Sequence, residues 1–334
     1  MSESPALAIA GVTGAVGQEF LAILEQRDFA YRSIKMLASS RSAGKTVTFK
    51  GETHTIEELT GDSFDGIDLA LFSAGGSVSK EFGPIAAARG CVVVDNSSAF
   101  RMDPGTPLVV PEINPQEAAK HTGIIANPNC STIIMNMAVW PLHQANRVQR
   151  IVMSTYQAVS GIGAQAMVEL EAATRAFLAG ESYEQDVLPH PCAFNVWSHG
   201  SDIGDDGYNM EERKTRNETR KIFGDDEIRV TATCIRVPVM RAHCESINLE
   251  FTNPIMEDEV RSLLNEAPGV KLVDDRAANH FPMPIEAAGR DEILVGRIRQ
   301  DLSQLDGRGI ELFIAGDQIR KGAALNAIQI AELL

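Results

Sequence analysis

One cysteine lies in a sequence context that suits nucleophilic chemistry. Cys130 belongs to residues 127–132, which read NPNCST, between an apolar run that ends near Ala126 and another from Ile133 to Trp140. The first run predicts a strand and the second a helix. Backbone N–H groups and the positive end of the helix dipole favour thiolate over thiol at a helix start. A thiolate there can attack a carbonyl carbon or an acyl phosphate, whereas the alternative is a buried structural cysteine.

A histidine beside two arginines follows a later strand-like run that ends near Val239. Residues 236–245 read RVPVMRAHCE and contain Arg236, Arg241 and His243. Histidine titrates near neutrality, so His243 can take up and return a proton at a tetrahedral intermediate. The guanidinium of Arg236 can hold a carboxylate through two parallel hydrogen bonds. A lone histidine is more often structural, but the neighbouring arginines and the candidate thiolate favour proton transfer here.

A glycine-rich turn near the N-terminus predicts nucleotide binding. Residues 11–17 read GVTGAVG and stand between a short apolar run, 6–10, and a helix-like run, 18–26. The glycine spacing departs from the simple GxGxxG pattern, but a helix N-terminus in this position can hold a pyrophosphate through its backbone N–H groups. The alternative is a tight structural turn. The predicted cofactor-binding residues of this turn are Gly11, Thr13, Gly14, Ala15, Val16 and Gly17.

The segment after the second predicted strand favours NADP over NAD. Residues 39–45 read SSRSAGK, at the place where an acidic residue usually binds the ribose of NAD. Hydroxyl groups and a guanidinium suit a 2′-phosphate, which a carboxylate would repel. We predict that Ser39, Arg41 and Ser42 contact this phosphate, and the alternative is a solvated basic loop.

The composition is that of a soluble globular protein with an excess of acidic residues. The 334 residues are 44% hydrophobic and 22% charged, and 45 acidic against 30 basic residues give a formal charge of −15. This charge disfavours nucleic-acid binding, so an anionic substrate must meet a local basic pocket. No apolar run approaches the roughly 20 residues of a membrane helix, and no basic N-terminal region precedes an apolar stretch. We expect a cytoplasmic protein with no nucleic-acid or membrane partner.

The cysteines and histidines do not form a metal-binding pattern. The five cysteines stand at positions 91, 130, 192, 234 and 244, contain no CxxC pair and are odd in number. Neither a disulfide framework nor a standard zinc site is therefore expected. His243 with Cys244, or His190 with Cys192 and His199, lacks a second cluster at ligand spacing, so no metal is predicted.

Two rhythms of predicted elements divide the chain. In the first third, strand-like and helix-like runs alternate as in a parallel α/β sheet, with one helix interrupted near Pro84. The later part has longer strand-like runs, a mobile loop at 198–207 and fewer helices. The expected fold class is α/β, with a Rossmann-like NADP-binding domain and a second α+β domain built on a mixed sheet. The expected bounds are 1–128 and 129–321, with a helix at about 322–334 that packs back on the first domain.

The predicted elements beyond the first turn cover both domains. The strands are expected at 34–38, 69–73, 91–95, 155–159, 228–239, 246–252, 292–299 and 309–315. The helices are expected at 79–88, 164–178, 209–223 and 256–265.

The chain resembles the aspartate-semialdehyde dehydrogenase family along nearly its whole length. Six ordered blocks carry the resemblance, at residues 11–17, 97–101 (SSAFR), 127–132, 157–161 (QAVSG), 236–243 and 321–326 (KGAALN). The resemblance implies NADPH-dependent, phosphate-releasing reduction of L-aspartyl 4-phosphate to L-aspartate 4-semialdehyde, a branch-point step toward lysine, threonine, methionine and isoleucine. It also implies a homodimer or a dimer of dimers whose second domain supplies the subunit contact.

The resemblance implies catalytic roles for three residues. Cys130 would be the nucleophile that displaces phosphate and forms a thioester. Gln157 would orient the thiol and the acyl group, and His243 would be the general acid and base.

The resemblance also implies a substrate-binding set. Arg236 would bind the α-carboxylate, and Arg101 and Lys214 would bind the phosphate. Glu212 would meet the ammonium group. Residues 212 and 214 do not share a helix face, so either they bracket the site from different sides or one is misassigned. The alternative for both is an ordinary charged helix surface.

Three further residues would contact the cofactor by the same resemblance, namely Ser160, Gly161 and Asn326. The family's Ser-Gly-Ala-Gly is Ser160-Gly161-Ile162-Gly163 in this chain. The side chain of Ile162 therefore adds bulk close to the expected nicotinamide site.

Two other functions stay open. N-acetyl-glutamyl-phosphate reductase also turns an acyl phosphate into a semialdehyde through a cysteine, but the blocks around Cys130 and His243 resemble it less. An inactive NADP-binding paralogue that acts as a regulator or scaffold is disfavoured because Cys130, Gln157, Arg236 and His243 occur together.

Overall fold

The computed structural model describes residues 4–334, which form two compact units. One unit comprises residues 4–129 together with 323–334, and the other comprises residues 130–322. Each unit is built around a seven-stranded sheet. Within the described part of the chain, no helix is both long and apolar enough to cross a membrane.

The first unit has a Rossmann-like sheet. Its elements are β1 (Ala6–Ala10), α1 (Ala15–Gln26), β2 (Ser33–Ala38), β3 (Thr46–Phe49), β4 (Glu52–Glu58), β5 (Leu69–Phe72), α2 (Gly76–Ala88), β6 (Val92–Asp95), β7 (Ile124–Ala126) and α8 (Leu325–Glu332). The strand order is β3-β4-β2-β1-β5-β6-β7, and every neighbouring pair except β3–β4 is parallel. β1 is buried along its whole length, because a parallel strand has both faces covered. The expected Rossmann-like fold is confirmed.

The antiparallel hairpin of β3 and β4 was not predicted. Its two-residue loop consists of Lys50 and Gly51, whose φ angles are 47° and 77°. Positive φ at both loop positions is the geometry of the tight turn whose twist matches that of the paired strands. The strands are mostly polar and half-exposed, which is why no apolar run marks them in the sequence.

The expected interruption of a helix near Pro84 is wrong. α2 runs without a break from Gly76 to Ala88 and contains Pro84. Pro84 is exposed, so the carbonyl oxygen that the proline ring leaves without a donor lies on the solvent side of the helix. Gly83 allows a close approach on the opposite side, since a Cβ atom there would lie 3.2 Å from the Phe100 ring.

The C-terminal helix α8 belongs to the core of the first unit. Leu325 and Ile328 pack in the same hydrophobic cluster as Leu7 and Phe20. Asn326 Nδ2 donates to the carbonyl oxygen of Val109 at 3.0 Å and to Asn127 Oδ1 at 2.6 Å. The last helix is thus held by both apolar contacts and buried hydrogen bonds within this unit.

The second unit has a mixed sheet. Its elements are α3 (Cys130–Ala145), β8 (Val148–Gln157), α4 (Ala164–Ala179), β9 (Trp197–Ser198), α5 (Met210–Phe223), β10 (Arg229–Arg236), β11 (His243–Phe251), α6 (Glu257–Glu266), β12 (Val270–Leu272), α7 (Pro284–Ala287), β13 (Ile293–Gln300) and β14 (Gly309–Gly316). The strand order is β12-β13-β14-β11-β8-β10-β9. β8 is parallel to β10 and antiparallel to β11. The expected second domain on a mixed sheet is confirmed.

Three predicted strands of this unit differ in extent from the structure, since β10 ends at Arg236 rather than 239, β11 begins at His243 rather than 246, and β8 differs most. The sequence places a strand at 155–159, but β8 begins seven residues earlier and ends at Gln157. The residues that follow form a short 3₁₀ turn, Val159–Gly161, whose amide groups of Val159 and Ser160 donate to the carbonyl oxygens of Val239 and Met240. This turn begins just after Gln157, the last residue of β8, and therefore lies next to that predicted site residue.

Candidate active site

Three predicted site residues form one row across neighbouring strands. Arg236 at the end of β10 is paired with Gln157 at the end of β8. His243, the first residue of β11, stands one step beyond the Cys244–Tyr156 pair and therefore opposite Gln157. All three side chains are buried. Alternation along the strands puts them on one face of the sheet, so the register alone brings together residues that lie up to 86 positions apart.

Cys130 is the first residue of α3, and its neighbour ties this helix to the row. Gln157 Nε2 donates to Ser131 Oγ at 3.1 Å. The thiol of Cys130 is half-buried. Gly322 lies against it, because a Cβ atom at position 322 would be 3.0 Å from Cys130 Cβ. The predicted nucleophile thus stands at a helix start, in a space that a glycine keeps open.

His243 presents one ring nitrogen to the site. Its Nδ1 accepts the backbone N–H of Ala158 at 3.0 Å, so the neutral ring carries its proton on Nε2. Nε2 is buried and has no hydrogen-bond partner among residues 4–334. Burial, and next the positive charge of Arg236, hold the pKa of His243 well below its usual range. The residue is therefore a neutral imidazole with an N–H group available for donation.

Arg236 is a buried cation with donors to spare. Its Nη1 donates to the carbonyl oxygen of Ala158, but Nε has no acceptor within the described residues. Burial lowers its pKa, and the opposite charges of Cys130 and Glu211 counter that effect, so the guanidinium stays protonated. A buried guanidinium with an unused donor is a receptor for a planar anion such as a carboxylate.

Glu211, which the sequence did not single out, joins the row from α5. Its Oε1 accepts from Gln157 Nε2 at 3.3 Å, and its Oε2 pairs with Lys214 Nζ at 3.0 Å. Positions 211 and 214 are three residues apart and share a helix face. The predicted residue Lys214 is thus brought to the row through Glu211.

The expectation for Glu212 needs correction. Its Oε2 accepts the backbone N–H of Asn209 at 2.9 Å, as part of the capping box that begins α5. Its Oε1 accepts the backbone N–H of Cys234 at 3.0 Å. Both carboxylate oxygens of Glu212 are committed to the backbone, and Glu211 supplies the acidic group beside Gln157 instead. The Asn-x-x-Glu pattern of residues 209–212 was the sequence signal that could have separated the two.

The 3₁₀ turn after β8 packs against the row. Ser160 Oγ accepts from Gln318 Nε2, and Gln318 Oε1 accepts the backbone N–H of Ala242 at 2.9 Å. A Cβ atom at Gly161 would lie 3.3 Å from His243 Nε2 and 3.5 Å from Arg236 Nη1. A side chain at position 161 would therefore crowd the His243 ring, while its distance to Arg236 would be that of an ordinary contact.

A second row lies one step below the first on the same face of the sheet. Thr155 is paired with Cys234 on one side and with Glu245 on the other. Glu245 is fully buried, and neither carboxylate oxygen has a hydrogen-bond partner among residues 4–334. Burial raises the pKa of Glu245 well above its ordinary value, so the buried carboxyl group holds its proton to higher pH than a glutamate in water does.

The glycine-rich turn of the first unit lines one side of a cavity. The two outer glycines permit close backbone approach, since a Cβ atom at Gly11 would lie 2.3 Å from Ser73 O and one at Gly17 would lie 2.2 Å from Gly11 O. Gly11 also has a φ of 88°, which favours glycine. The adjoining cavity measures about 510 Å³. Its lining residues are Gly11, Thr13, Gly14, Ala38, Ser39, Ser40, Arg41, Glu58, Leu59, Ser73, Ala74, Val78 and Phe82.

The cavity takes in only part of the predicted cofactor set. Five predicted residues line it, namely Gly11, Thr13, Gly14, Ser39 and Arg41. Ala15, Val16 and Gly17 begin α1 behind it, and Ser42 closes the next turn through its N–H bond to Ser39 O at 2.8 Å. Glu58, Leu59, Val78 and Phe82 line the cavity without having been predicted, because they come from β4, α2 and the residue after β4. The backbone turn and the nearby guanidinium fit a phosphate-bearing dinucleotide.

Arg101 and Asn326 belong to the first unit. Arg101 Nε donates to the carbonyl oxygen of Asn127 at 2.9 Å, and its Nη2 donates to that of Asn96 at 2.7 Å. Asn326 also bonds Asn127, as described above. Both residues therefore brace the segment that leads to Cys130.

Both units of the chain are similar to domains of one known class of enzyme. The NAD binding domain of the semialdehyde dehydrogenases matches residues 6–121, and their dimerisation domain matches residues 139–321. These two matches cover most of both units and define a semialdehyde dehydrogenase, an oxidoreductase that acts on an aldehyde. The chain belongs to the semialdehyde dehydrogenase family.

Individual relatives show which members of this family the chain is similar to. The aspartate-semialdehyde dehydrogenases of Synechocystis sp. and Aquifex aeolicus are 54% and 51% identical, and each alignment covers 98% of this chain and 96% or 97% of the relative. The crystal structure of aspartate semialdehyde dehydrogenase II from Vibrio cholerae, complexed with ASA, has a TM-score of 0.96 at 42% identity and covers 100% of this chain and 98% of that one. Within its family, the chain groups with the aspartate-semialdehyde dehydrogenases.

The contact between Gly161 and the row of Arg236, Gln157 and His243 can be tested by adding one methyl group. We expect Gly161→Ala to displace the His243 ring and to lower kcat/KM for aspartate semialdehyde about tenfold to a hundredfold, since small misplacements of reacting groups are costly. Gly105→Ala is the matched control, because nothing lies within 4 Å of a Cβ atom there. Equal kinetics for the two variants would contradict the proposed constraint.

The buried carboxyl of Glu245 predicts a pH-dependent effect on stability. Its folded pKa is raised, so on going up in pH the unfolded chain loses this proton first and the folded protein loses stability at up to about 1.4 kcal/mol per pH unit. Glu245→Gln removes that loss. We expect the free energy of unfolding of the variant, relative to that of the wild type in urea denaturation, to rise as the pH rises above the unfolded pKa of about 4.3. A difference that is constant with pH would show that Glu245 is charged in the folded protein.

Proposed function

We propose that this protein reduces L-aspartyl 4-phosphate to L-aspartate 4-semialdehyde with NADPH and releases phosphate. The observation that carries the proposal is the buried row of Arg236, Gln157 and His243 beside Cys130. The row supplies an anion receptor, a thiol-orienting amide and a hydrogen-bond donor within one site. The family and its relatives support the same reaction.

Cys130 carries the acyl group. Its sulfur attacks the C4 carbonyl carbon, the bond to the phosphate oxygen breaks, and a thioester forms on the enzyme. Bound NADPH supplies the hydride that reduces this thioester. His243 Nε2–H faces the site and donates a hydrogen bond to the oxygen that gains charge at the tetrahedral carbon, and it keeps its proton when that oxyanion collapses to the aldehyde. The carbon–sulfur bond then breaks, and Cys130 leaves as the thiolate.

The polar groups of the row suit an amino acid. Arg236 binds the α-carboxylate, because its guanidinium makes no ion pair within the described residues and keeps an unused donor. Glu211 meets the ammonium group in place of Glu212, because its carboxylate lies beside Gln157. A free ammonium, unlike an acetylated amine, calls for such an acidic partner, which favours the aspartyl substrate over an N-acetylated one.

Several roles stay predictions. Arg101 and Lys214 are assigned to the phosphate, and the formal charge of −15 makes such local cations necessary. Ser160, Gly161 and Asn326 keep their predicted cofactor contacts. The cytoplasmic location also stays a prediction.

Two observations support NADP as the cofactor and a homodimer as the assembly. Ser39 and Arg41 line the cavity just beyond the carboxyl end of β2, where the ribose of a dinucleotide lies in this fold. The second unit matches a dimerisation domain, and Tyr156 and Phe313 form an aromatic pair on the sheet face opposite the catalytic row. That face is the proposed subunit contact, and a dimer of dimers stays a prediction.

The reaction and its nucleophile are tested together. L-aspartate semialdehyde, phosphate and NADP should give a phosphate-dependent rise in reduced-nicotinamide absorbance with the wild type. Cys130→Ser should lower kcat at least about a thousandfold, because a hydroxyl is far less ionised than a thiol. N-acetyl-glutamate semialdehyde is the control substrate. Signal with the acetylated substrate alone would assign the protein to the neighbouring reductase, and NADP binding without turnover of either would favour an inactive paralogue.

The exchange of roles between Glu211 and Glu212 is tested by a matched pair of variants. Glu211→Gln should raise KM for aspartate semialdehyde about tenfold with little loss of stability, since it removes the charge beside Gln157. Glu212→Gln should lower the free energy of unfolding by about 1 kcal/mol through its cap and change KM much less. The reverse pattern, measured by steady-state kinetics and urea unfolding, would restore Glu212 as the substrate residue.

A further inference from the structure

His199 is fixed beside the strand that carries Arg236. The two-residue strand β9 pairs with the end of β10, with Trp197 opposite Arg236 and Ser198 opposite Ile235. The next residue continues this pairing, because the backbone N–H of His199 donates to the carbonyl oxygen of Cys234 at 2.9 Å. The imidazole is thereby placed at the edge of the sheet nearest to the catalytic row.

The imidazole of His199 reaches α5 through one hydroxyl group. Its Nδ1 accepts the backbone N–H of Ser201 at 3.3 Å and lies 3.1 Å from Ser201 Oγ. Ser201 Oγ accepts the backbone N–H of Glu211 at 3.3 Å. Since Oγ acts as an acceptor toward Glu211, its own hydrogen is available to Nδ1. A continuous chain of hydrogen bonds runs from imidazole to hydroxyl to the first turn of α5.

This chain is additional to the cap that starts the helix. α5 already has a complete capping box, in which the side chains of Asn209 and Glu212 bond each other's backbone N–H groups. The N–H of Glu211 is a separate donor of the first turn, where no helix carbonyl precedes it, and Ser201 Oγ accepts its hydrogen bond. Its bond therefore fixes the residue whose side chain meets Gln157 and Lys214, over and above what helix formation requires.

The charges around His199 keep its ring able to accept. The ring is faced from α5 by Glu211, Glu212 and Lys214, and from β10 by Arg236. On β11, the pKa of His243 is lowered in part by the charge of His199. Burial lowers the pKa of His199; among these charges Glu211 counters this shift most, while Arg236 and Lys214 add to it. The ring is therefore neutral near pH 7 with Nδ1 free to accept, and Nε2 carries the hydrogen.

We propose that His199 is a positioning residue, which holds Glu211 and Lys214 against the catalytic row through Ser201. This inference rests on the proposed function only in assigning Glu211 to substrate binding. The proposed role uses Nδ1 and needs no contact between His199 and the substrate. The alternative role is a hydrogen bond donated directly from His199 Nε2 to the substrate.

Three substitutions of His199 distinguish these roles. His199→Asn places an amide oxygen near the position of Nδ1 and keeps the acceptor, whereas His199→Gln keeps only a group near Nε2 and His199→Ala keeps neither. We expect His199→Ala and His199→Gln to raise KM for aspartate semialdehyde about tenfold while kcat changes less than about threefold. His199→Asn should stay within about threefold of the wild type in both. Ser201→Ala should reproduce His199→Ala, and the double variant should be no worse than either single one.

Hydrogen exchange at the Glu211 amide provides a readout that needs no turnover. Exchange should be faster than in the wild type in His199→Ala and His199→Gln and restored in His199→Asn. Unchanged exchange and KM in His199→Ala would overturn the proposal. Rescue by Gln rather than Asn would overturn it too and would assign Nε2 a direct contact. A wild-type protein with no turnover would refute the proposed function, while amide exchange would still decide whether His199 holds Glu211.

Discussion

The register between β10, β8 and β11 is the constraint on which the site depends. Side chains alternate along a strand, so a slip of one residue between β8 and β11 would turn His243 away from Gln157 and bring Cys244 to the face that carries the chemistry. The same register sets the second row, in which Glu245 lies opposite Thr155. The irregularity in the β11–β8 pairing falls between Glu250 and Phe251, at the far end of β11, where it leaves both rows undisturbed.

The first row collects polar atoms that the protein itself leaves unsatisfied. Arg236 Nε, Gln157 Oε1 and His243 Nε2 are all buried without a partner in the described part of the chain. Such atoms are rare in native proteins, and each costs about 1–3 kcal/mol. Two donors and one acceptor on a single sheet face are complementary to a ligand that carries carboxylate or carbonyl oxygens and a hydrogen-bond donor. A ligand that supplies all three partners removes this cost when it binds, whereas a ligand that lacks one of them leaves part of it in place. The unsatisfied atoms therefore favour the complementary ligand.

Local patterns predicted the fold and the helix start at Cys130, because both depend on short stretches of sequence. The buried run of β1 with its glycine turn, and the placement of Cys130 at a helix start, need only neighbours in the chain. Glu211 and Glu212 could not be separated by charge or burial, since both stand in the first turn of α5. The surroundings of His199 and Glu245 depend on strand pairings between distant segments, which no local pattern encodes. The β3–β4 hairpin was missed because its strands are too polar for an apolar run to mark them.

The position of α8 determines the order in which the two units can complete their folding during synthesis. The core around Leu7 and Phe20 is complete only when Leu325 and Ile328 join it. A ribosome makes residues 130–322 before it reaches those side chains, so the nucleotide-binding unit emerges first but can close its core only last. Its two segments must then meet across nearly 200 intervening residues, an entropic cost that falls if residues 130–322 have already become compact. The unit that contains Arg236, Gln157 and His243 is continuous in sequence, so it can complete its core without a later segment of the chain.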